Sequence, residues 1–257
     1  MNDSHALTVD EAGDGRPALL IHGGGGPMTI AAIVGHLAKT MRTITPTLPG
    51  WNGTERPDDI QRITDFAALL LHDLEERDLS DVLVIGSSIG GWIAAEMAIR
   101  DTAGRITGLV LIDAMGIEVP GETITDFFGL DPRGIAEHSF HDSEKFYVDP
   151  ATRAPEELAV MQANVATLRV VAGDPYMHDP SLRERLGEVS IPVLVLWGDS
   201  DGIASPDYGR AYAESFPGAR FELVANAGHL PQIEQPAATF APIDAFANGT
   251  DRREERR

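Results

Sequence analysis

Short apolar runs alternate with longer amphipathic stretches along most of this 257-residue chain. The run PALLI at 17–21 is apolar throughout, as suits a strand buried on both faces. It ends in HGGGGP, and residues 30–38 after it read as a helix. Residues 41–47 (MRTITPT) are rich in β-branched side chains and predict a strand that Pro46 brings to its end. The glycines and prolines of LPGWNGTERPDD then mark a loop. Residues 64–79 have helical periodicity, with Phe66, Leu69, Leu70, Asp73 and Leu74 sorting onto faces. Residues 81–85 predict the next strand, 89–100 a helix of small residues, and 106–112 (ITGLVLI) another strand.

After Ala114 the rhythm breaks. Residues 116–185 hold glycines, prolines, clustered acids and aromatics, with one clear helix at 155–171 and no apolar run of strand type. The alternation then resumes: strand at 191–197, helix at 207–216, strand at 220–224, helix at 236–246. The tail at 251–257, DRREERR, is charged and expected to fray. Strands alternating with helices imply an α/β fold, a mostly parallel sheet with helices on both faces. The chain thus divides into a core of 1–115 and 186–250, an insertion at 116–185, and the tail. Ligands of open α/β sheets bind at the carboxyl ends of the strands. The insertion leaves the sheet at that edge and is expected to form a helical lid.

Composition narrows the partners. The formal net charge is −20, so phosphate-bearing nucleic acid and anionic membranes are poor partners. Cysteine is absent, which removes disulfides, thiolate catalysis and cysteine-held metal. The opening MNDSHALTVDEAG has no basic or apolar signal region, and no apolar run reaches the length of a membrane span. The expected compartment is the cytoplasm, and the expected partner a small-molecule substrate.

Chemistry concentrates at Gly86-Ser87-Ser88-Ile89-Gly90, between VLVI and GWIAAEMAI. This is G-x-S-x-G at a strand-to-helix turn. Small flanking residues let the chain turn sharply, leaving the central serine exposed above the sheet. The amides that follow sit at a helix N-terminus, where negative charge is favoured. That arrangement suits a nucleophile whose attack creates an oxyanion. Ser87 lies one residue early, as a neighbour able to hydrogen-bond a substrate or the lid.

Three further motifs carry a resemblance. Asn226-Ala227-Gly228-His229-Leu230-Pro231, with Glu234 and Pro236 after it, resembles the histidine loop of α/β-hydrolases. Trp197-Gly198-Asp199-Ser200-Asp201 is similar to their acid loop. His22 to Gly26 resembles their oxyanion loop, and the order Ser, Asp, His is that of the fold. The resemblance covers the strands and motifs from Pro17 to Phe246 outside the insertion. It implies a lidded serine hydrolase with Ser88 as nucleophile, His229 as base and Asp201 as orienting acid. The family's spacing picks Asp201, with Asp199 and Asp113 as rivals. Gly24 and Ile89 would supply the oxyanion amides, and His22 would pack behind the loop. No cofactor or metal is implied.

Candidates for the substrate pocket are Gly25, Ser87, Trp51, Trp92, Phe127, Phe128, Phe140, Phe146, Tyr147 and Met161; the aromatics and Met161 also read as plain core. His5, His36 and His72 read as surface positions. His138, His141 and His178 read as solvated insertion residues. The implied reaction is cleavage of an ester or lactone through an acyl-enzyme. The alternatives are hydrolysis of a carbon–carbon bond in a ring-cleavage diketone, or a slowly hydrolysing ligand receptor. Serine at 87, where carbon–carbon hydrolases often carry asparagine, departs from that pattern.

Overall fold

The structure is a computed structural model that describes residues 7–254. His5 and residues 255–257 of the tail lie outside the described residues. In chain order the elements are β1 (Thr8–Ala12), β2 (Pro17–Ile21), α1 (Ala31–Leu37), β3 (Arg42–Thr47), α2 (Ile63–Glu76), β4 (Val82–Ser87), α3 (Ile89–Arg100) and β5 (Ile106–Ile112). The insertion follows with α4 (Pro132–Ser139), α5 (Ser143–Phe146), α6 (Pro155–Val171) and α7 (Leu182–Arg185). The core closes with β6 (Val193–Gly198), α8 (Pro206–Glu214), β7 (Arg220–Val224), α9 (Pro231–Glu234) and α10 (Pro236–Glu254).

The described strands form one sheet in the order β1-β3-β2-β4-β5-β6-β7, parallel except for β1. Side chains alternate across it. Leu19, Val84, Leu109, Leu111 and Val195 face one layer, built from α2, α3 and α8 with part of the insertion. Leu20, Leu83, Ile85, Val110 and Leu194 face the other, built from α1 and α10. The apolar runs carry no polar alternation because both layers are dry.

This layering places the site. From β2 the chain steps toward β1's side of the sheet through α1, and from β4 it steps the other way through α3. Right-handed crossovers in opposite directions need helices on opposite faces. The loops leaving adjacent β2 and β4 therefore diverge and open a crevice at their carboxyl ends. Those loops are Gly23–Gly26 and the turn at Ser88.

The structure adds what the periodicity missed. Strand β1 is polar and mostly exposed, pairing only with β3, so it carries no apolar pattern. Pro46 lies one residue before the end of β3, opposite Val9 of the edge strand. In the insertion, α4 and α5 begin at Asp131 and Asp142, whose carboxylates accept from Gly134 N and Lys145 N. Helix α10 continues through Glu254, so the start of the charged tail extends a helix. Among the described residues, no helix is long and apolar enough to cross a membrane.

Candidate active site

Ser88 adopts φ 57° and ψ −120°, a conformation that non-glycine residues avoid. Its surroundings fix it there. Ser88 N donates to Ile112 O at 2.9 Å, and Ser88 O accepts from Gly91 N and Met115 N at 2.9 and 3.2 Å. The flanking glycines permit the turn. A Cβ on Gly86 would lie 2.2 Å from Gly90 O, and one on Gly90 2.3 Å from Ile21 O. The side chain of Ser88 is thereby lifted from the sheet toward the histidine loop.

His229 Nε2 lies 2.9 Å from Ser88 Oγ, and its Nδ1 lies 2.8 Å from Asp201 Oδ2. The other oxygen of Asp201 accepts from Ile203 N at 2.8 Å and Ala204 N at 3.2 Å. Nδ1 is the donor across the Asp201 contact, which leaves Nε2 free to accept from Ser88 Oγ. His229 and Asp201 are both buried. The geometry thus brings together the three residues that head the sequence reading.

The rival acids have other hydrogen-bond partners. Asp199 is exposed and accepts from Ser200 Oγ at 2.8 Å. Asp113 is fully buried, and its Oδ1 accepts from Gly198 N at 2.9 Å. Burial, then the charge of Asp201, pushes its carboxyl well above the usual range. Among the described residues its Oδ2 meets no donor, and Asp201 lies beside it. Asp113, Asp201 and His229 present ligand-type atoms within 4.8 Å of one another. Both nitrogens of His229 are already bonded, to Asp201 and to Ser88, which leaves no free imidazole nitrogen for a cation.

The loop after β2 faces Ser88 across the crevice: a Cβ on Gly23 would lie 3.3 Å from Ser88 Cβ. Leu48 N donates to His22 Nε2 at 3.1 Å, which leaves Nδ1 to donate to Gly23 O at 2.8 Å. Burial lowers the His22 pKa to about 4, so the ring stays neutral. Gly26 N also donates to Gly23 O, at 3.0 Å. With that carbonyl held on one side, the planar trans peptide sends the Gly24 N–H to the other. His22 packs behind the loop, as the sequence suggests. Trp51 is fully buried and donates from Nε1 to Gly24 O at 2.8 Å, so it braces the loop.

Helix α6 closes over this loop. Leu168 Cδ2 lies 2.8 Å from where a Gly24 Cβ would stand. Thr167 Oγ1 donates to Gly50 O at 2.9 Å, and Asn52 N donates to Asn164 Oδ1 at 2.9 Å. Asn164 and Thr167 had no distinguishing pattern in the sequence. Gly25 is exposed beside them.

The remaining pocket candidates divide. Ser87 is fully buried on the α1 and α10 side, where Gln232 Nε2 donates to its Oγ at 3.3 Å; it points away from the crevice. Trp92 is core, against Gly116. Phe127 and Phe128 pack edge to face, and Phe128 meets Tyr176 in the same way. Phe140 stacks on Phe146, both half-buried, and Met161 is exposed. His36 pairs with Asp244 and stacks on Phe240, while His72 faces Glu76 on the surface.

A family model described as the alpha/beta hydrolase family matches residues 18–243. The chain belongs to the alpha/beta hydrolase family. Among curated relatives of this hydrolase, 2-hydroxymuconate semialdehyde hydrolase of Pseudomonas sp. (strain CF600) is 28% identical over 260 residues, covering 91% of this chain and 87% of that protein. Lipase 3 of Moraxella sp. (strain TA144) is 26% identical over 247 residues, covering 91% and 78%. The meta-cleavage product hydrolase CumD of Pseudomonas fluorescens IP01 shares the fold, with a TM-score of 0.79 at 19% identity over 95% of this chain and 94% of that one. An N-acyl homoserine lactone degrading enzyme shares it with a TM-score of 0.73 at 20% identity, covering 96% and 98%.

Proposed function

We propose that this hydrolase cleaves a small-molecule carboxylic ester or lactone through an acyl-enzyme on Ser88. The observation that carries the reading is the unbroken line of hydrogen bonds from Ser88 Oγ through His229 to Asp201. In the first step Ser88 Oγ adds to the carbonyl carbon and its proton passes to His229 Nε2. The carbonyl oxygen becomes an oxyanion facing the amides of Gly24 and Ile89. Collapse breaks the carbon–oxygen bond, and His229 returns the proton to the leaving alkoxide. Water then adds to the acyl carbon, loses a proton to His229, and releases the acid as Ser88 recovers its hydrogen.

A second reading keeps the same site and changes the bond. The identity to 2-hydroxymuconate semialdehyde hydrolase favours carbon–carbon cleavage of a ring-cleavage product. There the proton goes to the departing carbon instead of an oxygen. The test is kcat/KM for short acyl esters, for lactones and for ring-cleavage diketones, on the native chain and on Ser88→Ala. Turnover of the esters or lactones that the variant loses supports the first reading. Turnover of diketones alone supports the second, and no Ser88-dependent turnover in any class overturns both.

A further inference from the structure

A buried carboxylate that the proposed chemistry does not use joins the insertion to the histidine loop. Glu234, at the end of α9, accepts from three backbone amides. Gly228 N donates to Oε2 at 2.6 Å, His141 N to Oε2 at 3.0 Å, and Asp142 N to Oε1 at 3.0 Å. Gly228 immediately precedes His229, whereas His141 and Asp142 join α4 to α5. Buried backbone amides need acceptors, so the three bonds fasten both segments to one side chain.

The same junction recurs in the backbone. His229 N donates to Ser139 O at 2.8 Å, and Gly202 N, next to Asp201, donates to His138 O at 3.0 Å. Two glycines make the close approach possible. A Cβ on Gly228 would lie 2.4 Å from Ser139 O, and one on Gly202 2.9 Å from His138 O. Side chains extend the contact to the acid loop. Ser200 Oγ donates to Asp199 Oδ1 at 2.8 Å, so His141 Nδ1 is the donor across its 2.8 Å contact with Ser200 Oγ. Residues 138–142 thus touch both loops that carry the acid and the base.

We propose that Glu234 is a positioning residue, tying residues 138–142 of the insertion to the histidine loop so that the insertion fixes where His229 stands beside Ser88. The inference rests on His229 acting as the base of the proposed hydrolysis. At this end the insertion is part of the base's support.

The experiment compares the native chain with Glu234→Ala and Glu234→Gln, reading kcat, KM and the rate of Ser88 phosphonylation by a fluorophosphonate well below each melting temperature. Misplacing a catalytic group by about 1 Å can cost on the order of 100-fold in rate. The expected result for Glu234→Ala is a fall of at least about tenfold in kcat and in labelling rate, with KM within about twofold and full final labelling. Glutamine keeps an oxygen for Gly228 N and His141 N and loses the acceptor of Asp142 N, so its kcat should fall between native and alanine. Native kcat and labelling rate in both variants, whatever the melting temperature, would overturn the proposal. If Glu234→Ala does not fold, the glutamine variant decides by the same split. A native chain that neither turns over nor labels defeats the proposed hydrolysis itself, an outcome distinct from a labelled chain indifferent to Glu234.

Discussion

Asp201 divides its carboxylate between two tasks: Oδ2 receives His229 Nδ1 at 2.8 Å, while Oδ1 receives the amides of Ile203 and Ala204. The backbone bonds orient the group, and the remaining oxygen sets the imidazole tautomer. Asp201→Asn presents either an amide N–H or a neutral oxygen to the ring. The expected loss is on the order of 10⁴-fold in kcat, with little change in melting temperature. Asp199→Asn is expected to leave kcat within about threefold, because that carboxylate bonds Ser200 at the surface. Steady-state kinetics on the two variants separate the neighbours.

Asp113 makes a prediction about stability and pH. Its carboxyl is pushed above its ordinary value of 3.8 by burial and by Asp201. Between that value and its folded pKa, the fold binds a proton that the unfolded chain releases. Its contribution to stability therefore falls as pH rises through that window. Asp113→Asn replaces the carboxyl with a neutral amide that can still accept from Gly198 N. The variant should melt above the native chain at pH 7, and the gap should close toward pH 4. Thermal melts across that range check it; a variant that melts lower at pH 7 contradicts it.

His22 has the opposite sign. Its folded pKa is lowered from 6.5 to about 4, so the unfolded chain binds a proton that the fold refuses. The protein loses stability from this group as pH falls from about 6.5 toward 4. His22→Phe removes that dependence but strands Leu48 N, at a cost of about 1–3 kcal/mol at neutral pH. Denaturant titration at pH 7 and pH 5 should show a less stable variant with a shallower pH slope.

Two glycine substitutions should act in opposite directions. Gly90→Ala drives a Cβ to 2.3 Å from Ile21 O, a backbone atom that cannot move aside. It should lower the melting temperature and reduce activity. Gly35→Ala, in helix α1 with nothing within 4 Å, should raise stability by about 0.5–1 kcal/mol. Melting both variants alongside the native chain checks the pair.

What the sequence disclosed follows from where the information is local. PALLI and VLVI show as strands because both sheet faces are dry, whereas TVDEA is invisible because an exposed edge strand needs no apolar pattern. The turn at Ser88 was legible because it demands Gly86 and Gly90 at fixed offsets. The family's spacing put Asp201 ahead of Asp199 and Asp113, while residue type alone did not separate them; the contact with His229 belongs to the fold. Asn164 and Thr167 gave no signal, because their partners, Asn52 and Gly50, lie more than a hundred residues away. Glu234 stood in a recognised motif, yet its hold on His141 and Asp142 depends on an insertion that pattern alone does not place.

The central claim is that Ser88 is an activated nucleophile. Peptide mass spectrometry after fluorophosphonate treatment tests it most directly, on the native chain, Ser88→Ala and His229→Ala. The account predicts one adduct, on Ser88, absent from the first variant and formed at least about a hundredfold more slowly in the second. No adduct on the native chain, or labelling at Ser88 that His229→Ala leaves unchanged, would contradict it.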